Sequence, residues 1–354
     1  LLCAVKLLSQ ASAVNPRSRL RYSVGAPPQP GNSRRVANTV LWTCIPLPID
    51  LNHINVWLIE SPRGYVLVDA GMSVAVCKEA WEKLDASLLR GKPLRAWLVT
   101  HAHPDHIGLA AWLQERYALD VWMSQRAYAL ASSLYSSPQT RREKVAAFLH
   151  AHGVTSSTVL QSLLRPERYA RTQDELPQVT RFIEDGESIV PEIDDWIALL
   201  TEGHSEGHLC LWTEHERTLI SGDQILPTIS PNISFLYHEP DADPLGAYLA
   251  SLDRLRQLPA NTLVLPSHGL PFQGLHERID DLRAKHAARL GKLRDVCATP
   301  RSACEVRPHL YRRQLSGTHF LLALGEAVAH LEHLVRKGEL ERLRSDEVVR
   351  YRRR

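Results

Sequence analysis

The chain has 354 residues, with 42 lysines and arginines against 39 aspartates and glutamates, a formal charge of +3. Hydrophobic residues at 44% and charged residues at 23% exclude a wholly disordered or collagen-like polymer. So balanced a charge names neither nucleic acid nor an anionic membrane as an obligatory partner. The length fits one large domain with an appendage, or two domains. Six cysteines with no CxxC pair among them argue against a disulfide framework or a zinc ribbon, so reduced thiols and a cytoplasmic location are expected.

No segment has the length and apolarity of a membrane span; the longest uncharged stretch of note, 36–49, is broken by Pro46 and Pro48. Residues 1–36 contain no acid, and Arg17, Arg19, Arg21, Arg34 and Arg35 lie among serines and prolines. This is the composition of an organelle-targeting segment or of a disordered leader, and the fold is expected to begin near Val36.

Short apolar runs at 40–47, 54–60 and 65–69 read as successive strands, with Ser61-Pro62-Arg63-Gly64 as a hairpin turn. Helical spacing follows over 74–89, and Gly91-Lys92-Pro93 stops it. A buried strand at 96–99 runs into His101; helix 107–117, strand 121–123 and helix 126–134 come after it. The segment 136–180 breaks this rhythm with charged helical pieces and reads as an insertion. Strands resume at 196–201, 209–213, 218–221 and 262–265, with a helix over 244–258 before the last. Strands and helices thus alternate in two halves, which implies sheets covered by helices. Beyond Gly274 three helices (275–296, 303–311, 319–335) and a hairpin over 339–350 give the plan of a winged helix. The last helix has an apolar face of Phe320, Leu324, Ala327, Val328, Leu331, Leu334 and Val335.

Histidine is abundant, at 17 residues, and its placement carries the chemistry. His101-Ala102-His103-Pro104-Asp105-His106 follows a buried strand directly. It offers imidazoles and a carboxylate, the donors that borderline divalent metals prefer. Four ligands in one loop exceed the three protein ligands usual for one catalytic zinc, so two metals are implied. Gly203-His204-Ser205-Glu206-Gly207-His208, Ser221-Gly222-Asp223 and Ser267-His268-Gly269 each lie just past a strand. Strand ends flanked by glycine are where open α/β sheets gather their functional groups.

This ordered set, with Val68-Asp69-Ala70-Gly71 before it, resembles the metallo-β-lactamase superfamily over about residues 40–275. The resemblance implies an α/β fold, the four-layer αββα sandwich, over 37–274, with a winged-helix-like C-terminal domain over 275–354. It implies two zinc ions per chain, with iron or manganese as alternatives. His101, His103 and His204 resemble ligands of the first metal; Asp105, His106 and His268 resemble those of the second; Asp223 resembles the bridging carboxylate. Asp69 and His208 correspond to residues that orient the ligands. The implied activity is a hydrolase in which a metal-bridging hydroxide, aimed by Asp105, attacks a small ester, thioester or lactone-like substrate.

Departures from individual branches narrow this. Asp223 is absent from true β-lactamases of the superfamily, and flavodiiron proteins carry a glutamate where His103 stands. Only 44 residues separate Asp223 from His268, too few for the domain inserted there in the large nucleases. Persulfide dioxygenases, with one iron, share much of the motif. The C-terminal region resembles the appendage of a branch that includes an endoribonuclease, which keeps a ribonuclease as an alternative, beside a non-catalytic scaffold. Because helix 319–337 carries Glu326 and Glu332 beside Arg336 and Lys337, a packing or dimerisation role is preferred to nucleic-acid binding. Asn232, Tyr237 and His238, on the loop leaving Asp223, are the candidate substrate contacts; that loop and the insertion are expected to overhang the metals.

Overall fold

A computed structural model describes residues 19–89, 92–134, 137–164, 175–190, 196–235, 242–311, 315–345 and 347–354. The elements in its first half are β1 (Ser33–Arg35), β2 (Val40–Pro46), β3 (His53–Ser61), β4 (Gly64–Val68), α1 (Ala75–Leu84) and β5 (Leu94–Leu98). Next come α2 (Pro104–Ile107), α3 (Ala110–Tyr117), β6 (Asp120–Met123), α4 (Gln125–Leu134), α5 (Pro138–Ala151), α6 (Ser157–Leu163) and β7 (Arg181–Phe182). The second half has β8 (Trp196–Thr201), β9 (His208–Thr213), β10 (Thr218–Gly222), α7 (Pro244–Leu255), β11 (Leu263–Pro266) and β12 (Phe272–Gln273). It closes with α8 (Leu275–Val296), β13 (Arg301–Ser302), α9 (Ala303–Leu310), α10 (Gly317–Arg336), β14 (Leu340–Ser345) and β15 (Val348–Arg353).

Seven strands form one sheet in the order β1 to β7, antiparallel as far as β4 and parallel from there to β7. Five form a second, β12-β11-β10-β9-β8, in which only β10 and β11 run parallel. Successive side chains on a strand face opposite ways, and here both faces are apolar. Trp42, Trp57, Val66, Val68, Ala96 and Leu98 meet Trp196, Leu209, Leu211 and Ile220 of the other sheet. The alternate residues Leu41, Val56, Leu58, Leu67, Trp97 and Val121 pack outward against Trp81, Leu84, Leu113 and Ala127 of the helices. On the second sheet Cys210, Trp212, Leu219 and Val264 face Leu245, Leu252, Ile279 and Leu282. The result is the expected αββα sandwich.

Three expectations are corrected. The fold does not begin at Val36. Leu20 is buried, Arg21 bridges to Gln273, and β1 pairs with residues 41–43 of β2. Two arginines of this stretch do structural work: Arg34 donates to the carbonyls of Val24 and Ala26, and Arg35 pairs with Glu60. Residues 1–18 lie outside the described set. The helix expected over 107–117 is broken into α2 and α3 around Gly108. There the chain passes so close to Gly71 and Met72 that a Cβ would lie 2.9 Å from Met72 Cα. Finally, α5 and α6 of the insertion pack against β15 and α10, and none of their residues lines the cleft beside the metal centre.

Beyond α8, strands β13, β15 and β14 form a small antiparallel sheet on α9 and α10. The apolar face of α10 is buried as its spacing requires, but Glu326, His330, Glu332 and His333 on its polar face are buried too. Glu326 accepts from Arg289 and Tyr311, and Glu332 from Arg342 and Tyr351, so each buried charge is paired and hydrogen-bonded. Leu324, Leu331 and Leu334 share one core with Val264 and Phe272 of the second sheet. A chain ending at residue 274 is therefore expected to aggregate, because it exposes the outer face of that sheet. Size-exclusion chromatography and a melting curve check this: a monomeric fragment with a sharp melt would contradict the shared core.

Candidate metal centre

Every histidine and aspartate of the motif set stands at the same end of the two sheets. β5 delivers Thr100 and His101, and Pro104 starts α2 with His103 at its N-cap. β9 begins at His208, β10 ends in Gly222 before Asp223, and β11 ends just before Ser267 and His268. Gly222 has φ +52°, and a Cβ there would lie 2.5 Å from His208 Nε2, so only glycine turns the chain this tightly.

The side chains gather in two groups. His101, His103, His204 and Asp223 form one that could hold a metal ion, and Asp105, His106 and His268 form another. Asp223 lies between them: its Oδ2 is 3.4 Å from His204 Nε2 and 3.6 Å from His106 Nε2, and its Oδ1 is 3.5 Å from His268 Nε2. Asp105 Oδ2 lies 3.2 Å from His268 Nε2 and 3.6 Å from His106 Nε2.

Hydrogen bonds on the far side of four of the five rings fix their tautomers. His268 Nδ1 meets the His53 carbonyl at 2.9 Å and His204 Nδ1 meets the Asn232 carbonyl at 2.9 Å. A carbonyl only accepts, so in both rings Nδ1 carries the proton and Nε2 presents a lone pair inward. His106 Nδ1 likewise donates to Asp69 Oδ2 at 2.8 Å. The same carboxylate accepts from the Thr100 N–H (2.9 Å) and from the Thr100 hydroxyl (2.9 and 3.0 Å to its two oxygens). That hydroxyl is thereby left to accept from His101 Nδ1 at 3.0 Å. One buried carboxylate thus orients a ring in each group. Asp69 holds a left-handed backbone, φ +61°, unusual away from glycine.

His208 is built differently. Its Nδ1 meets the Thr201 hydroxyl at 3.0 Å, and its Nε2 accepts from the Asp223 N–H at 3.1 Å. Both nitrogens are occupied, so the ring steadies the Asp223 backbone.

Burial and charge set the protonation. Burial drives His101 and His208 well below the ordinary imidazole range, reinforced by the rings around them. His103 is lowered to about 3 by burial and then by His204. For His106 burial works the same way but is outweighed by Asp69, Asp105 and Asp223, which hold it well above that range. His268 is raised too, against its burial, by Asp223 and Asp105. The carboxylates respond in kind. Although burial favours their neutral form, His106 and His268 lower Asp105 to about 2 and hold Asp223 well below the usual carboxylate range. Carboxylates that favour a proton on these rings also favour a divalent cation in its place, so metal uptake releases protons. His106 Nε2, His268 Nε2 and Asp223 Oδ1 are buried without a hydrogen bond of acceptable geometry. With their nitrogen and oxygen donors, the residues fit a divalent metal.

A cleft of about 180 Å³ opens against His103 and His204, lined among others by Arg126, Leu130, Glu202, Ser234, Phe235 and Asp243. Asn232, a candidate substrate contact, contributes its carbonyl to His204, while its side chain meets Ser234 and the Leu322 carbonyl. Tyr237 and His238 lie outside the described residues. Sequence reasoning missed Thr100 and also Asn55. The Asn55 side chain donates to the carbonyls of Pro266 (2.8 Å) and Gly269 (2.7 Å) and accepts from Trp42, stitching the first sheet to the His268 loop. An amide in the apolar run Ile54–Ile59, on the face that meets the other sheet, was the available signal.

Residues 49–268 match the model of the metallo-beta-lactamase superfamily, and residues 290–354 match that of the metallo-beta-lactamase-like C-terminal domain. The chain belongs to the metallo-beta-lactamase superfamily. It is a metallo-hydrolase with a centre suited to divalent metal. The probable metallo-hydrolase YqjP of Bacillus subtilis is 26% identical over 82% of this chain and 90% of its own. A hydroxyacylglutathione hydrolase of Bartonella quintana is 26% identical over 68% of this chain and 78% of its own. A solved beta-lactamase domain protein from Burkholderia ambifaria superposes with a TM-score of 0.87 at 38% identity, covering 95% of this chain and 98% of that one. Among the described residues no helix is long and apolar enough to cross a membrane.

Asp69→Asn replaces an acceptor oxygen with an amide donor facing Thr100 or His106. It is expected to weaken metal binding about 10–100-fold, the usual loss when a ligand's orienting partner is removed. Titration with a zinc indicator checks this; unchanged affinity would remove Asp69 from its orienting role.

Proposed function

We infer that the chain is a binuclear zinc hydrolase acting on a small ester, thioester or lactone-like substrate. The observation that carries the reading is Asp223, whose two oxygens lie between two groups of inward-facing donors. In this reading His101, His103 and His204 would hold one ion, Asp105, His106 and His268 would hold the other, and Asp223 would be shared by both. Zinc suits the donor set, which combines imidazole and carboxylate without thiolate. Bound there, a pair of divalent ions supplies Lewis acidity and water ionised near neutral pH.

The chain's own groups do the rest. Asp105, kept ionised, accepts a hydrogen bond from the attacking water and aims its lone pair. Asp69 and Thr100 hold two rings in place, and His208 holds the bridging aspartate. The cleft beside His103 and His204 takes the acyl part of the substrate against Leu130 and Phe235. The buried middle of α10 gives a nucleic-acid strand no helix face to contact. The similarity to a hydroxyacylglutathione hydrolase supports the thioester class.

Elemental analysis of protein purified without chelator is expected to give about two zinc ions per chain; a single iron would favour the dioxygenase chemistry instead. Asp223→Ala is expected to abolish hydrolysis and lower the occupancy of both ions. His208→Ala should retain metal and lose activity about 10–100-fold. Equal metal loss in the two variants, measured by equilibrium dialysis, would make His208 a ligand and overturn the assignment.

A further inference from the structure

The metal centre is joined to α10 by a short chain of contacts through residues 232–235. His204 donates through Nδ1 to the Asn232 carbonyl at 2.9 Å. Asn232 Nδ2 reaches the Leu322 carbonyl of α10 at 3.4 Å, and the Ser234 hydroxyl reaches the same carbonyl at 3.3 Å. The Phe235 N–H donates to the Gly325 carbonyl at 3.0 Å. Gly325 is what permits so close an approach. A Cβ there would lie 2.9 Å from Ser234 Oγ, 3.0 Å from Ser234 Cβ and 3.2 Å from the Phe235 carbonyl oxygen. On the other side of the cleft, His333 of α10 lies 3.0 Å from the carboxylate of Asp243, which caps α7 through the Gly246 N–H at 2.9 Å. Both Ser234 and Asp243 line the cleft.

The geometry points to α10 as a positioning element of the active site. Gly325 seats residues 232–235 against the helix, and that seating aims the ring of His204. The effect is local to one group: His106 and His268 take their orientation from Asp69 and the His53 carbonyl, outside residues 232–235. The inference rests on the reading of His204 as a ligand to one of two ions.

The test is equilibrium dialysis of the full chain against buffered free zinc, reading ions bound per chain, with hydrolysis of a small thioester alongside. Gly325→Ala adds a methyl group that by helix propensity alone favours α10. The expected result is a loss of about 10–100-fold in affinity for one ion, the other unchanged, with activity restored at high free zinc. Ser234→Ala, which deletes the hydroxyl that meets Asn232 Oδ1 and the Leu322 carbonyl and adds no bulk, should weaken the same ion by a smaller factor; it decides the matter should Gly325→Ala not fold. Gly291→Ala, where a Cβ meets nothing within 4 Å, is the control and should match the unaltered chain. Wild-type affinity for both ions in Gly325→Ala and Ser234→Ala overturns the proposal, as does an equal weakening of both ions. An unaltered chain that binds fewer than two ions overturns the binuclear reading instead, and that is seen before any variant is compared.

Discussion

Five imidazoles and two carboxylates crowd together where the strands of both sheets end, and three of their polar atoms have no hydrogen-bond partner. Collecting so many donors in a buried place is costly unless a cation compensates them, since each leaves water without a full replacement. Much of the surrounding structure follows from keeping them in place. The Asp69 carboxylate is saturated by Thr100 and His106; the His53 and Asn232 carbonyls each fix a ring; His208 uses both nitrogens to hold the turn at Asp223. The two-sheet core supplies a rigid floor for this, with Trp42, Trp57 and Trp196 fully buried between the layers.

The donor cluster was legible in the sequence because metal chemistry admits few residue types, and strand ends bring them together in a recognisable order. Sheets covered by helices were legible too, since apolar runs and helical spacing alternate in two halves, and the four-layer sandwich came with the family resemblance. What escaped notice has physical reasons. The carbonyls of His53 and Asn232 are backbone atoms, which every residue possesses, so nothing in the side chain announces their use. Thr100 reads as one more β-branched residue at a strand end. β1 is three residues long and carries two arginines, so neither alternation nor apolarity marks it; only its pairing with β2 makes it a strand. In α10 the apolar stripe was plain, but glutamate and histidine on the opposite side read as a solvated face. The glutamates are buried because Arg289, Arg342, Tyr311 and Tyr351 arrive to satisfy them, and His330 and His333 because His286 and Asp243 meet them.

Those buried polar pairs give the C-terminal region a distinct character. Pairs of this kind add little net stability over apolar residues of the same shape, yet losing one partner is costly. His286 donates through Nδ1 to His330 Nε2 at 3.0 Å, and His330 donates to the Glu326 carbonyl at 2.7 Å. Burial pushes these rings down to about 2 and about 4, so both are neutral at physiological pH. With Arg289 and Tyr311 on the Glu326 carboxylate, this network specifies how α8 and α10 meet, and it leaves His286 Nε2 buried without a hydrogen-bond partner.

The core that α10 shares with the second sheet has a thermodynamic corollary. The strands that bear His208, Asp223 and His268 lose their outer cover if α8 and α10 detach, so detachment is expected to weaken the centre they form. Whatever binds the native centre and not the opened chain then stabilises α10 as well, by an amount that grows with its free concentration. By that linkage a greater supply of metal is expected to make the far C-terminal helix open less often to solvent and to proteases.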